Sequence, residues 1–184
     1  MIRRSRVLGV DLSLRATGIA YGTNLHDLTT DTLHPPKLMV GERRRDWVSR
    51  SIMNLCDDLR PELVMIEAEV TPFGRPANDA DRDLYMCHGV LRGDLFRDGR
   101  RYALISPKAL KVLLAGNGNA SKDDMITAAK KLLGLTGIGK DDNQADAGGL
   151  WLCGMLRLGE RVIELPKKNL TALDKIVWPE GLER

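Results

Sequence analysis

Two short apolar segments of the chain each end in a carboxylate. Residues 5–12 are typical of a buried strand whose apolar run is closed by Asp11, and residues 62–70 are typical of another, in which Glu67 follows four apolar residues. An acid at the end of a buried apolar strand is costly unless something compensates it, and a bound divalent metal is one such compensation. The two strands therefore predict a metal site at their ends.

Two further acids lie where the last long helix is predicted to begin. Asp142 and Asp146 are spaced one helical turn apart, and Asn143 is three residues before Asp146, so all three can face one way. The helix macrodipole favours acids at a helix N-terminus, which accounts for Asp141 and Asp142 without a metal but explains Asp146 less well. Together with the two strand-end acids, Asp142 and Asp146 could hold two hard cations for phosphodiester hydrolysis.

The order of the predicted elements is typical of an α/β fold. Three early strands precede a helix, and strands then alternate with helices. We expect a central mixed five-stranded sheet flanked by helices, in a domain at residues 1–158 followed by a polar tail at 159–184. The third strand is expected to end at Leu38-Met39-Val40. The expected helices are 42–59, 79–97, 107–115, 122–133 and 142–158.

The composition indicates one ordinary domain of 184 residues, 43% of them hydrophobic. No run approaches the roughly 18 apolar residues of a membrane span, and the basic N-terminus lacks the apolar region of a signal peptide. Three widely spaced cysteines without zinc spacing indicate reduced core thiols in a cytoplasmic protein: Cys56, Cys87 and Cys153. A metal-neutralised acid cluster would leave a distinctly basic surface, which favours a polyanionic partner, although ordinary solvated charge explains the same distribution.

The turn after the first strand allows more than one interpretation. In the first, Asp11 is a metal ligand at a strand–turn–strand hairpin. In the second, Gly18 and the hydroxyls of Ser13 and Thr17 form a phosphate-binding hairpin of the sugar-kinase and actin type. The third is an ordinary hairpin with a turn aspartate. This segment taken alone leaves all three open.

A glycine-rich loop between two predicted helices is the second informative segment. Gly116-Asn117-Gly118-Asn119 follows a helix that starts at Ser106-Pro107 and precedes one capped by Ser121. Glycines let backbone amides approach a ligand closely, and a helix N-terminus offers free N–H groups to a phosphate. Lys111 and Lys122 add positive charge nearby. A flexible connection between helices is the alternative interpretation.

These motifs together resemble those of the RuvC-type Holliday junction resolvases, in the phage or bacterial branch, over about residues 6–156. The most specific match is Ser-Pro-x-x-x-Lys followed by Gly-Asn-Gly-x-Ala-x-Lys, from Ser106 to Lys122. Glu67 matches the strand-ending acid. The remaining matches are an Asp-x-x-x-Arg-x-Thr-Gly pattern at Asp11, Arg15, Thr17 and Gly18, and the helix motif Ala145-Asp146-Ala147.

The resemblance implies a ribonuclease-H-like fold and a homodimer in the cytoplasm of a bacterial or phage-infected cell. It also implies cutting of four-way DNA junctions with two Mg²⁺ ions, or Mn²⁺ in their place. The implied catalytic residues are Asp11, Glu67, Asp142, Asp146 and Lys122, of which the four acids are the metal ligands. The implied DNA-binding residues are Lys111, Lys122, Arg15, Ser106, Asn117 and Asn119. The predicted helix 79–97 is the candidate dimer interface through Leu84, Leu91 and Leu95, a stripe that could equally face the core.

The sequence departs from the family pattern at two places. Bacterial members carry Asp or His three residues before the last Asp, where this chain has Asn143 preceded by Asp142. Members also carry an aromatic three residues after the strand-ending acid, where this chain has Val70, with Phe73 nearby as a substitute. The identity of the fourth metal ligand and the means of opening the junction are therefore left open by the sequence.

Three other functions compete with junction cleavage. A nuclease of the same fold could cut flaps or replication branches without strict junction preference. A sugar-kinase or actin-type ATPase would need a second phosphate hairpin and an adenosine pocket, and neither is evident in the sequence. A catalytically silent junction-binding protein would not need the intact set of acids. Branched DNA is thus the expected partner, and no membrane association is expected.

Overall fold

The computed structural model describes residues 6–69 and 76–182. Its strands are β1 (Val7–Asp11), β2 (Thr17–Gly22), β3 (Thr29–Leu33), β4 (Leu63–Glu67) and β5 (Tyr102–Ile105). Its helices are α1 (Gly41–Leu59), α2 (Asp79–Arg97), α3 (Pro107–Ala115), α4 (Lys122–Leu133), α5 (Asp142–Arg157) and α6 (Lys167–Leu170). The strands form one sheet in the order β3-β2-β1-β4-β5, antiparallel on the β2 side of β1 and parallel on the β4 side. The expected mixed five-stranded sheet is confirmed.

Alternate side chains of the central strands enter two cores, one on each face of the sheet. Val7 and Met65 pack into the core formed with α3, α4 and α5. Leu8, Val10 and Ile66 pack into the core formed with α1 and α2. Because both faces of β1 and β4 are covered, these strands are continuously apolar until they reach their terminal acids.

Glycines in the first hairpin let α5 lie directly on the sheet. A Cβ on Gly9 would stand 2.6 Å from the backbone nitrogen of Trp151, and a Cβ on Gly18 would overlap the carbonyl of Asn143. The Trp151 indole is fully buried, and its Nε1 donates to the Gly22 carbonyl at 3.1 Å. The start of α5 is therefore fixed against the end of β1 and the start of β2.

The predicted position of the third strand is wrong. The strand is β3, whereas Leu38 is 96% exposed and Val40 is 66% exposed in the connection that follows it. As an edge strand, β3 pairs only with β2 and leaves its threonines and Asp31 partly in solvent. An edge strand needs no apolar run, so hydrophobic patterning does not find it.

The predicted helices are confirmed to within one or two residues, and their caps explain why. Ser106 caps α3 by accepting from the Ala109 amide, with proline at the first helical position. Ser121 and Asp124 form the expected reciprocal capping box at the start of α4. Local sequence thus decides where these helices begin.

The apolar stripe of α2 faces the core for two of its three residues. Leu91 and Leu95 are fully buried in the core shared with α1, so the expectation that they contact a second subunit is wrong. Leu84 is half-buried. The exposed large apolar residues of this helix are Met86 at 55%, Val90 at 36% and, near its C-terminal end, Phe96 at 77%.

The C-terminal tail packs against the domain rather than projecting from it. Leu173 and Ile176 are buried in the core that also contains side chains of α3, α4 and α5. The Arg157 guanidinium lies 5.0 Å from the centroid of the Trp178 ring, a cation–π contact that ties α5 to the tail. Residues up to 182 therefore belong structurally to the same unit as the sheet.

The environment of the cysteines agrees with the expectation drawn from composition. Cys56, Cys87 and Cys153 are buried and free, and desolvation raises the pKa of each thiol, as expected for inert core cysteines. Across residues 6–69 and 76–182, no helix combines the length and the apolar character that crossing a bilayer would require.

Candidate active site

Four carboxylates from distant parts of the sequence share one electrostatic environment. Asp11 ends β1, Glu67 ends β4, and Asp142 and Asp146 lie one turn apart at the start of α5. Parallel pairing of β1 with β4 places the two strand ends side by side, and the packing of α5 on Gly9 brings its first turns over them. The structure therefore brings together all four acids that the sequence predicted.

Burial and mutual repulsion raise the pKa values of three of these acids. Desolvation is the largest cause for Asp11, followed by the charges of Glu67, Asp146 and Asp142. Desolvation and the charge of Asp146 raise the pKa of Glu67 to about 7. Desolvation and the charge of Asp142 raise the pKa of Asp146 to about 6. Such a cluster carries its full negative charge near neutral pH only if cations compensate it.

The chemistry of the cluster fits a divalent cation. Asp146 Oδ1 is buried and has no hydrogen-bond partner in the described part of the chain. An orphaned carboxylate oxygen among other acids is an oxygen donor set of the kind that hard cations prefer. The described residues contain no three Asp, Glu, His or Cys side chains already arranged as a metal-ligand group, so the fit rests on the orphaned oxygen and the shared burial.

Two lysines border the acids, as the sequence predicted. Lys122 Nζ lies 2.5 Å from Asp142 Oδ2, and its positive charge also acts on Asp11 and Asp146. Hydrogen bonding to Asp142 raises the pKa of Lys122 above its usual value. Lys111, from α3, lowers the pKa values of Glu67 and Asp146 by its charge. A phosphate entering this edge of the sheet would meet both acids and cations.

The structure separates Asp142 from Asn143. The Asp142 carboxylate interacts with Asp11, Asp146 and Lys122. The side-chain amide of Asn143 instead donates to Asp141 Oδ1 at 3.1 Å, within the cap of α5. Asp142 is therefore the residue of this pair whose charge acts on the acid cluster.

Glu69, an acid two residues beyond the end of β4, does not join the cluster. Its Oε1 accepts from Arg92 at 3.0 Å, and its Oε2 lies 3.5 Å from His88 Nδ1, both residues on α2. Alternation along an extended strand would place Glu69 on the same face as Glu67, two residues earlier, and the structure does not place it there. Strand alternation stops because β4 ends at Glu67, so the chain turns Glu69 towards the opposite face.

The first turn is closed by its own hydroxyls. Thr17 is fully buried, and its Oγ1 donates to the Ser13 carbonyl at 2.6 Å and accepts from the Ser13 amide at 3.2 Å. The Ser13 hydroxyl accepts from the Arg15 amide. Gly18 is covered by the carbonyl of Asn143. These groups are engaged within the fold, which disfavours the phosphate-binding hairpin of the sugar-kinase type.

The other predicted DNA-binding residues lie at two places around the acids. Arg15 is exposed at the tip of the first turn, where its carbonyl lies 3.2 Å from His34 Nδ1. Asn117 and Asn119 are exposed on the glycine-rich loop, and the Asn117 side chain accepts from the Asn119 amide at 3.0 Å. Ser106 is exposed but serves as the cap of α3. Val70 and Phe73, the positions of the missing aromatic and its substitute, lie outside the described residues.

Two contacts that hold the start of α5 escape sequence reasoning. Thr30 Oγ1 donates to the Gln144 side chain at 2.8 Å, and Thr32 Oγ1 donates to Asp141 Oδ2 at 2.7 Å. Both join the edge strand β3 to the helix that carries Asp146. In the sequence, only the run of threonines before Leu33 points to these hydrogen bonds, and a threonine-rich stretch does not by itself predict its hydrogen-bond partners.

No protein-family model matches the chain. Individual proteins match it over most of its length. A crossover junction endodeoxyribonuclease RuvC of Chlorobium phaeovibrioides is 28% identical over 165 residues, covering 83% of this chain and 82% of the relative. A protein of the same name from Parasynechococcus marenigrum is 29% identical over 159 residues, covering 81% and 97%.

Solved structures share the fold. Thermus thermophilus RuvC in complex with Holliday junction substrate aligns with a TM-score of 0.68 at 21% identity, over 83% of this chain and 95% of the other. The yeast mitochondrial Holliday junction resolvase aligns with a TM-score of 0.55 at 15% identity, over 85% and 82%. At these identities the structures establish the fold alone, and the expected ribonuclease-H-like architecture is confirmed.

Proposed function

Because the chain is related along most of its length to the RuvC crossover junction endodeoxyribonucleases, we propose that it is a metal-dependent endonuclease that cleaves four-way DNA junctions. The relationship supplies the substrate class, and the four-acid cluster supplies the chemistry. The proposal places the enzyme with DNA in the cytoplasm of a bacterial or phage-infected cell.

The observation that carries the proposal is the convergence of four partly buried acids beside the half-buried Lys111 and the exposed Lys122. Desolvation first, and the charge of a neighbouring acid second, raise the pKa of Glu67 to about 7 and that of Asp146 to about 6, an arrangement that folding alone does not reward. Lys122 is 80% exposed at the rim of this cluster. This arrangement suits a phosphodiester, because the lysine ammonium groups can offset the repulsion between the negative phosphate and the carboxylates.

Each residue of the site has a distinct proposed role. Asp11, Glu67, Asp142 and Asp146 would hold Mg²⁺ or Mn²⁺, two ions per site, and cations held there supply activation of water and stabilisation of the leaving oxygen. Lys122 would neutralise charge developing on the scissile phosphate, and Lys111 would support it from α3. The glycine-rich loop would position the DNA backbone through phosphate contacts, which orient the substrate without reading its sequence.

We also propose that the active protein is a homodimer. The described part of the chain contains one such cluster of partly buried acids, whereas a four-way junction has approximate two-fold symmetry. The exposed face of α2 is the candidate contact surface, because Met86 and Val90 are exposed there and a Cβ on Gly89 would meet nothing within 4 Å. A second copy of this helix could approach that face closely.

The test is incubation with labelled four-way, three-way, flap and linear DNAs, with and without Mg²⁺ or Mn²⁺. We expect cleavage of the four-way junction that requires the cation and is absent in Asp146→Asn. Cleavage of flaps and three-way branches at the same rate would instead support a branch nuclease without junction preference. Binding without cleavage under all conditions would support a silent junction-binding protein and defeat the proposal.

A further inference from the structure

A cavity of about 520 Å³ lies where the C-terminal tail meets the end of α3. Its walls come from the end of α3, the beginning of the glycine-rich loop, the outer face of α4 and the tail from Leu165 to Asn169. The charged residues that line it are Lys131, Lys168 and Asp124. The cavity is separate from the acid cluster, none of whose four carboxylates lines it.

Asn169 anchors the tail at this cavity. Its side chain is 5% exposed, and its Nδ2 donates to the Leu113 carbonyl at 2.9 Å. Its Oδ1 is buried with no hydrogen-bond partner among the described residues. This hydrogen bond holds the tail against the end of α3 at the residue that follows Lys168.

Gly116 lets this part of the tail lie against the loop. Its φ of +72° is in the left-handed region that favours glycine. A Cβ there would stand 3.4 Å from Lys168 Nζ and 3.3 Å from Asn169 Oδ1. The ammonium of Lys168 therefore lies beside the glycine-rich loop, in the space that a side chain at residue 116 would enter.

A second lysine, Lys108, packs against the same loop at Gly118. A Cβ on Gly118 would stand 2.9 Å from Lys108 Cγ, so the stem of Lys108 crosses the loop at that point. Lys108, Lys131 and Lys168 are all exposed. The one carboxylate lining the cavity, Asp124, is engaged by the Ser121 amide at 2.9 Å and hydroxyl at 2.8 Å. We call Lys108, Lys131 and Lys168 the loop-flanking lysines.

We propose that the loop-flanking lysines bind the sugar-phosphate backbone of a DNA arm as it leaves the junction, with Lys168 of the tail as the central contact. The proposal rests on the proposed function, because it takes branched DNA as the ligand. The glycine-rich loop connects the loop-flanking lysines to the acid cluster. Gly116 and Lys122 are six residues apart, which corresponds to a distance of at most about 20 Å. Duplex DNA carries one charge per roughly 1.7 Å of axis, so an arm extending over that distance presents several phosphates to the lysines.

The test measures junction affinity as a function of salt, using protein silenced by Asp146→Asn so that cleavage does not interfere. Lys168→Ala should weaken binding several-fold to a junction with long arms and reduce the salt slope by about one unit. Lys168→Arg should restore both, and Lys168→Glu should weaken binding further. A junction whose arms are too short to reach the loop-flanking lysines should bind all variants equally.

The matched control is Lys175→Ala, because Lys175 is an exposed lysine of the same tail outside the cavity. Equal affinities and salt slopes for Lys168→Ala, Lys168→Glu and Lys175→Ala would overturn the inference. Failure of the proposed function would give a different result. In that case the Asp146→Asn protein that keeps Lys168 would bind four-way junctions no more tightly than linear DNA. Unchanged thermal unfolding of each variant would establish that the losses do not come from misfolding.

Discussion

Gly18 lies directly beneath the backbone carbonyl of Asn143, so closely that a single added methyl group would overlap it. This contact joins the first residues of β2 to the first turn of α5. It is one of two glycine contacts between the hairpin that carries Asp11 and the helix that carries Asp146, the other being that of Gly9 with Ala147 and Trp151. The geometry of the acid cluster therefore depends on a residue that has no side chain.

Gly18→Ala should displace the start of α5 and impair cleavage. Overpacking of this kind costs about 1–3 kcal/mol, so thermal unfolding should occur at a lower temperature, and cleavage should fall strongly even where the variant is folded. Gly137→Ala is the control, because a Cβ there meets nothing within 4 Å. A Gly18→Ala variant with unchanged stability and cleavage would show that the contact is unimportant.

Removing a cluster acid should separate cleavage from binding. Asp11→Asn, Glu67→Gln or Asp146→Asn should abolish cutting of a four-way junction, because water activation needs the complete acid set, while junction affinity stays largely intact. Gel-shift and cleavage assays on the same DNA measure both. A near-normal cutting rate in any one of these variants would show that the residue it replaces is not a metal ligand.

Asp142 and Asn143 should respond differently to substitution. Asp142→Asn should raise the cation concentration needed for cleavage, because the Asp142 charge acts on both Asp11 and Asp146. Asn143→Ala removes only a hydrogen bond to Asp141 within the helix cap, so it should mainly lower the unfolding temperature. Titrating cleavage activity with the cation in both variants measures the difference. A larger increase in the required cation concentration in Asn143→Ala than in Asp142→Asn would make Asn143 the metal ligand instead.

Lys122→Ala should slow cleavage more than it weakens binding. In the structure the ammonium bonds to Asp142, where it is available to offset charge on a nearby phosphate. Single-turnover rates at saturating enzyme isolate the chemical step from affinity. A loss of affinity large enough to account for the whole loss of rate would mean that Lys122 serves binding only.

Without divalent cations, stability should fall as pH rises from about 4 to about 7. The folded pKa values of Glu67 (about 7) and Asp146 (about 6) exceed the usual 4.5 and 3.8, so the folded state binds more protons than the unfolded state within that range. Burial lowers the pKa of His88, which acts in the opposite direction around its usual 6.5. The quantity to compare is therefore the pH dependence of the free energy of unfolding in the protein and in its Asp146→Asn variant.

Denaturant unfolding at several pH values measures this difference. Asp146→Asn should reduce the loss of unfolding free energy as pH rises, whereas Asp58→Asn, at an exposed position, should leave that loss unchanged. Added Mg²⁺ or Mn²⁺ should raise stability more at neutral pH than at pH near 5, because the ligands must be deprotonated to bind. Equal stabilisation of the protein and of Asp146→Asn by the cation would place the cation elsewhere.

The sequence predicted the central strands and the four acids that the structure brings together, and it failed where tertiary contacts decide. Asp11 and Glu67 end continuous apolar runs, and burial on both faces of the sheet imposes that pattern. β3 was misplaced because an edge strand with one partner carries no comparable pattern. The packing of Lys168 on Gly116 joins residues far apart in sequence, and no local spacing signals it.

The central claim is tested most directly with a supercoiled plasmid that extrudes a cruciform, incubated with the protein and Mg²⁺. Sedimentation beforehand should give a mass near twice 20.4 kDa, and Met86→Asp, but not Val177→Asp on the exposed tail, should shift it to the monomer. The account predicts linear plasmid cut at symmetric positions on opposing strands of the junction. Nicked circles alone, from a monomer, would contradict junction resolution while leaving a metal-dependent nuclease.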